Sequence, residues 1–127
     1  MSISIVLFAL IFFTGTVHPS EKWVFIRGDN GINVYYDEQS VLYNKTFNTY
    51  TVNFKYEYLN PEAFDSNKSL TSQYLTFIHD CSPNHSQLIG IKNVYSDSTY
   101  EYVNPSKWSN YFTSDSPQEK VFESLCK

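Results

Sequence analysis

The sequence predicts an α+β domain, in which an antiparallel sheet of about five to six strands is joined to a C-terminal helix by a disulfide. Three observations carry this prediction. Short segments with an apolar period of two alternate with turn residues over most of the chain. The period becomes helical after Ser116, and the chain has two cysteines, Cys81 and Cys126.

The first predicted element is a signal peptide, residues 1–18, with cleavage between residues 15 and 20. The apolar run Ile5–Phe13 is followed by small residues. It is too short to cross a bilayer, which needs about 20 apolar residues, although a buried strand or an uncleaved anchor are alternatives. We therefore expect export of one domain, residues 19–127, with no transmembrane segment. No cysteine lies near the cleavage zone, so we expect no N-terminal lipid anchor.

The predicted strands follow one another with short turns between them. They are Lys22–Arg27, Ile32–Tyr36, Tyr50–Tyr58, Gln73–Cys81, Gln87–Tyr95 and Thr99–Val103. In Tyr50–Tyr58, apolar and polar residues alternate without a break, as in a half-buried strand. The residues Gly28–Gly31 predict a hairpin turn between the first two strands. Asn60–Glu62 is expected to end the third strand, with a loop or short helix after it.

The last segment has the signals of a helix start. Ser116 is the expected N-cap, Pro117 occupies the first helical position, and Glu119 completes a capping box. Four residues share the apolar stripe of this helix: Val121, Phe122, Leu125 and Cys126. Because Cys81 is in line with the core residues of its strand, a bond to Cys126 would tie the helix across the sheet.

Export favours a Cys81–Cys126 disulfide, since cysteines pair in an oxidising compartment. The loop that this bond closes has about 45 residues, which corresponds to a stabilisation of about 4 kcal/mol. The alternative is a metal site built from His79, Asp80, Cys81 and His85. Their spacing lacks the tight, repeated pattern of zinc sites. We expect neither a metal nor a cofactor.

Charge and motif content limit the function classes. Nine Lys and Arg against thirteen Asp and Glu give a net charge of -4, whereas nucleic acids and anionic lipids select basic patches. We therefore expect no nucleic-acid partner. The chain shows no nucleophile elbow and no phosphate loop, so we expect no enzyme. His79 is interpreted as a core histidine rather than a base, and Asp37-Glu38 as solvated turn carboxylates rather than an acid–base pair.

Tyrosine is the unusual component, with eleven residues. Tyr74 alternates away from the core residues of its strand, and Tyr100 and Tyr102 share one face of theirs. The sequence does not decide whether that face is the core side or the outer side of the sheet. If the three lie together, they form an exposed aromatic surface for a protein partner or a second copy of the chain. If they do not, they are ordinary sheet surface or core.

The order of several motifs resembles the bacterial surface-adhesin protein E family over nearly the whole mature chain. The motifs are Trp23-Val24-Phe25-Ile26, Val34-Tyr35-Tyr36-Asp37-Glu38-Gln39-Ser40-Val41, the strand from Gln73-Tyr74 to Asp80-Cys81, and Val121-Phe122-Glu123-Ser124-Leu125-Cys126. The resemblance implies an antiparallel sheet with a disulfide-tied C-terminal helix.

The same resemblance implies a non-enzymatic protein of the cell envelope, periplasmic or displayed at the surface, that binds host or envelope proteins or forms a homodimer. The alternative function is a small periplasmic inhibitor or immunity protein. Such a protein would block a toxin or a lysozyme-like enzyme, with acidic surface facing a basic target.

Overall fold

The computed structural model describes residues 21–65, 68–82, 84–105 and 115–127. The predicted signal peptide, residues 1–18, lies outside these ranges. Within them, seven strands form one antiparallel sheet, and one α-helix lies near the C-terminus. The predicted sheet and helix are confirmed. The fold is mostly β, however, and the sheet has more strands than the predicted five to six.

Neighbouring strands of the sheet are antiparallel and are joined mostly by short turns. The elements are β1 (Trp23–Asp29), β2 (Ile32–Asp37), β3 (Leu42–Asn44), β4 (Thr49–Asp65), β5 (Lys68–Asp80), β6 (His85–Tyr95), β7 (Tyr100–Val103) and α1 (Pro117–Leu125). The order across the sheet is β1-β2-β4-β5-β6-β7. β5 pairs with one edge of β4, so β2 and β3 lie in tandem along the other edge. In the described ranges, no helix has the length and hydropathy of a membrane span.

The β1–β2 hairpin turns on two residues, Asn30 and Gly31. Their φ angles are 52° and 78°, as a type I′ turn requires at both central positions. β1 therefore continues to Asp29, which pairs with Ile32. The predicted turn at Gly28–Gly31 is correct in place and shorter than expected.

Three strands differ most from the prediction. β5 begins at Lys68, five residues before the predicted Gln73, so a strand takes the place of part of the expected loop or short helix. β3 has no counterpart among the predicted strands, because its three residues are all exposed and give no alternation. β4 continues through Asn60–Glu62, where the sequence predicts a strand end. β2 stops opposite Tyr58, and the ladder to β5 shifts its register in this segment. Pro61 therefore lies where its missing N–H interrupts no regular ladder.

One face of the sheet is covered by α1. Phe54 of β4 and Phe122 of α1 are 0% and 1% exposed, and their ring centroids are 5.9 Å apart. The buried cluster around them consists of Val52, Phe54, Leu75, Ile91, Val121 and Phe122. Burial of such a side chain contributes about 1.5–3 kcal/mol, so these contacts hold α1 on the sheet.

The cap of α1 agrees with the sequence signals. The Ser116 hydroxyl accepts a hydrogen bond from the Glu119 backbone N–H at 3.2 Å, and Pro117 occupies the first turn. The Glu119 carboxylate accepts from the backbone N–H of Asp115, one residue before the cap. A capping box would direct it to the N–H of Ser116, so the box is shifted by one residue.

The predicted disulfide is confirmed. Cys81 follows β5 directly, Cys126 caps the C-terminus of α1, and their Cα atoms are 5.6 Å apart. The bond fixes the end of the helix to the end of a central strand, on the side of the core.

Candidate binding face

The open face is the side of the sheet opposite α1. Direct partners in an antiparallel ladder project to the same face, so the register identifies its members. Tyr74 lies between core residues of β5 and points away from Leu75. Lys55 is its partner on β4, and Lys92 is its partner on β6. The open face therefore consists of the residues that alternate with core-facing residues along each strand.

A single cross-strand row dominates this face, and we call it the aromatic–lysine row. Each member is the direct partner of the next, in the order Phe25, Tyr35, Lys55, Tyr74, Lys92 and Tyr102. The row crosses β1, β2, β4, β5, β6 and β7. With strands about 4.8 Å apart, its length is roughly 24 Å. Each lysine thus has an aromatic neighbour on both sides.

The Lys92 ammonium group lies among three tyrosine rings. Its Nζ is 4.7 Å from the centroid of Tyr100 and 5.7 Å from that of Tyr74. The Tyr102 centroid is 5.9 Å from the same Nζ, and this ring packs edge-on against Tyr100 at 5.6 Å. Each cation–π contact of this kind contributes about 0.5–1 kcal/mol at an exposed site. The rings therefore orient the Lys92 side chain.

Lys55 occupies a similar position on the other side of Tyr74 in the row. Its Nζ is 5.1 Å from the Trp23 ring and 5.0 Å from the Tyr35 ring. Trp23 in turn packs against Tyr74 at 5.8 Å between centroids. Trp23 therefore connects the surroundings of the two lysines.

Neither lysine of the row has a direct counter-ion among the described residues. In the described part of the chain, Lys55 and Lys92 form no ion pair with a carboxylate, whereas Lys22 pairs with Glu38 at 2.8 Å. Two positive charges are thus held in place by rings rather than by carboxylates.

Two carboxylates lie near the row without contacting its ammonium groups directly. Glu57 accepts a hydrogen bond from the Tyr35 hydroxyl at 3.1 Å. Burial raises the pKa of Tyr74, and the charges of Glu21 and Glu57 raise it further. The Tyr74 hydroxyl is therefore protonated at neutral pH, and the face is mixed in charge.

A groove of about 430 Å³ lies beside the aromatic–lysine row. Its floor contains the next cross-strand row, in which Asn53, Thr76 and Gly90 are successive partners. The Thr76 hydroxyl donates to the Asn53 side-chain oxygen at 2.8 Å. The side chains around this floor include Glu21, Trp23, Tyr74, Lys92 and Tyr102. Small residues next to large ones thus create the depression.

Comparison of the chain with known proteins finds no relative. No protein family, curated protein or solved structure matches this chain. The open face is therefore interpreted from its own geometry.

The three tyrosines singled out from the sequence lie on the open face. The pairing of Tyr102 with Lys92 puts Tyr100 and Tyr102 on the same side as Tyr74, and the three rings meet at the lysine. Sequence reasoning missed Lys92 and Lys55. Both lie at outward positions in strands whose apolar and polar residues alternate, and this alternation could have pointed to them. Their cross-strand partners depend on the strand register, which the sequence does not reveal.

His79, the histidine considered as a base, lies on the core side. It is 3% exposed, and its ring stacks on Phe122 with the centroids 4.5 Å apart. Its Nδ1 contacts the Ser86 hydroxyl, and its Nε2 is 2.9 Å from the Asn84 side-chain oxygen. Burial lowers the pKa of His79, so the ring is neutral at neutral pH.

The interpretation of Asp37-Glu38 as solvated turn carboxylates is correct for the exposed Glu38 and wrong for Asp37, which is 5% exposed. Asp37 accepts from the backbone N–H groups of Lys22 and Gln39 at 2.9 and 3.0 Å, which caps the 3-10 turn after β2. Glu38 pairs with Lys22. Among the residues that the structure describes, no three His, Cys, Asp or Glu side chains come together as a metal site, and Cys81 is in the disulfide.

Proposed function

We propose that this protein is a non-enzymatic, exported binding protein of the bacterial cell envelope, similar in role to a surface adhesin, and that it contacts a protein partner through the open face. The observation that supports this proposal is the aromatic–lysine row. It places aromatic rings and two oriented ammonium groups across six strands, on the face that the described helix does not cover.

The composition of the row suits a protein interface. Tyr and Trp combine a large apolar ring with a polar end, and they are enriched at the centres of interfaces. Tyr100 and Tyr102 are 58% and 73% exposed, so both have area left to bury. The roughly 24 Å length of the row matches a protein-sized contact better than a closed pocket for a small substrate.

The inhibitor alternative depends on an acidic blocking surface. Lys55 and Lys92 both lie within the aromatic–lysine row of the open face, so that face is a poor match for a basic toxin. The residues Glu21 and Glu57 at its margin do not change this, because neither neutralises a lysine by direct contact. This charge pattern favours the adhesin-like role over the inhibitor role.

Labelling of intact cells separates the two roles. A membrane-impermeant amine reagent should modify the protein on intact cells of its native host, since an adhesin must be reachable from outside. Labelling only after the outer membrane is opened would contradict adhesion and favour the periplasmic inhibitor, as would a neighbouring toxin gene.

A matched pair of variants tests the face itself. Tyr102→Ala should reduce cross-linking of the protein to its envelope or host-cell partner, because the ring lies in the row. Phe47→Ala is the control, since Phe47 is similarly exposed, at 69%, but lies in the β3–β4 turn. Equal cross-linking by both variants would place the contact elsewhere.

A further inference from the structure

We infer that the groove beside the aromatic–lysine row binds an extended segment of the partner that carries one acidic side chain, whose carboxylate pairs with Lys92. The inference rests on the proposed function and specifies the chemistry of the partner. It is carried by three features of the open face: the charge of Lys92, the shape of the groove floor, and the position of Glu21.

The charge of Lys92 gives the first argument. Three tyrosine rings hold its Nζ, at 4.7, 5.7 and 5.9 Å, and no carboxylate in the described chain pairs with it. The rings restrict the ammonium group without giving it a carboxylate partner. A carboxylate from outside would pair with a side chain that is already held in place, so less side-chain entropy is lost on pairing than at a freely moving lysine.

The floor of the groove gives the second argument. Asn53, Thr76 and Gly90 are cross-strand partners with short or absent side chains, so backbone from another molecule can approach the sheet. An added Cβ at Gly90 would lie 3.5 Å from the Thr76 Cβ and Oγ1, which is ordinary van der Waals contact. The glycine therefore leaves the volume of about one methyl group empty at the floor. The groove volume, about 430 Å³, is within the range of ligand sites.

Glu21 gives the third argument, which selects a peptide over a nucleic acid. Glu21 lines the same groove as Lys92. A nucleic acid carries a phosphate at every residue and follows successive basic side chains. Among the described residues that line this groove, it would meet a carboxylate as well as a single lysine. A peptide can present one carboxylate to Lys92 and neutral residues elsewhere, as the mixed lining requires.

An array of immobilised heptapeptides tests the inference. Each sequence is present twice, with Glu and with Gln at the central position, and the probe is the fluorescently labelled protein produced from the full-length gene. We expect the Glu member of bound pairs to bind about fivefold more tightly, the upper range for a partly exposed ion pair. A competing oligothymidylate should not displace the protein; displacement, or no preference for Glu, overturns the inference.

Variants of the groove provide the controls. Lys92→Gln should abolish the Glu preference, whereas Lys45→Gln, in the exposed β3–β4 turn, should preserve it. Glu21→Gln should strengthen binding of the Glu peptides by removing a like charge. Gly90→Val should weaken binding of both members while the protein stays folded, because its side chain occupies the floor. An unchanged Glu preference in Lys92→Gln would overturn the inference.

The array also separates this inference from the proposed function. If the Glu preference is absent but Tyr102→Ala still loses the cross-linked partner, the acidic-segment inference fails and the binding face stands. If Tyr102→Ala also retains the partner, both fail.

Discussion

On the helix-covered face, Phe54 and Phe122 are almost fully buried, whereas on the open face Tyr100 and Tyr102 keep more than half of their surface exposed. Both faces are rich in aromatic rings. On the covered face the rings contact one another and exclude water. On the open face the rings also contact one another, but they surround lysines as well. Aromatic content alone therefore does not identify a core. The burial and the contacts of the rings distinguish the two faces.

The two faces should also respond differently to substitution. Each side chain on the covered face loses packing when it is truncated, so the cost appears as lost stability. The most exposed side chains of the open face, such as Tyr102, have fewer packing contacts to lose, and their removal should appear mainly as lost binding.

The largest effect is expected for Phe122→Ala. This ring contacts Phe54 and stacks on His79 at 4.5 Å, and truncation of a buried Phe costs about 3–5 kcal/mol. Urea unfolding measures the change. Phe25→Ala is the matched control, since Phe25 lies on the open face and is 55% exposed; we expect a loss of about 1 kcal/mol or less there. Equal losses would mean that the faces do not differ.

The next effect is expected for removal of the disulfide. The double variant Cys81→Ser, Cys126→Ser should lose about 2–4 kcal/mol, because the unfolded chain regains the freedom of a loop of 45 residues. Unfolding of the oxidised parent and of the variant is compared in urea. The bond lies outside the aromatic–lysine row, so peptide binding should be retained. A variant as stable as the parent would contradict the role of the bond in holding α1.

A smaller, pH-dependent effect is expected from His79. Burial lowers its pKa in the folded protein, against opposing effects of Asn84 and Asp80, and the neighbouring His85 acts in the same direction as burial. The unfolded chain therefore binds the proton more readily. Stability should fall as the pH drops below the ordinary histidine pKa of about 6.5, and should stop falling below the lowered folded pKa.

Urea unfolding at a series of pH values measures this effect. His79→Gln should reduce the loss of stability on acidification. His85→Gln, at an exposed position in the next strand, should reduce it only slightly, because His85 is the smallest of the causes that act on the pKa of His79. If His79→Gln loses stability with pH as steeply as the parent, another group is responsible for the dependence.

Local features of the fold were predictable where the sequence carries a local cause. Asn30-Gly31 determines the first turn, alternation identifies β4, and Ser116 begins the helix. β3 gave no signal, since three exposed residues are held by pairing with β4 alone. The continuation of β4 past Pro61 depends on where β2 ends, and this is determined by strand pairing and not by the local sequence.

The candidate site was predictable only in part, because some of its features have a local cause in the sequence and others depend on strand pairing. Outward tyrosines such as Tyr74 follow from alternation. The aromatic–lysine row requires the register of six strands, since Lys55 and Lys92 become neighbours of the same tyrosine only through pairing. A shift by one residue would move either lysine to the core side.

The smallest effect on stability, and the sharpest contrast between faces, is expected for Tyr102→Ala. Tyr102 is 73% exposed, so the free energy of unfolding should change by no more than about 0.5 kcal/mol. Its ring nevertheless lies 5.9 Å from the Lys92 Nζ and lines the groove. Binding of Glu-containing peptides should therefore weaken, while Phe47→Ala leaves it unchanged. A loss of stability with unchanged binding would make Tyr102 a packing residue, and the open face would then differ from the covered face only in degree.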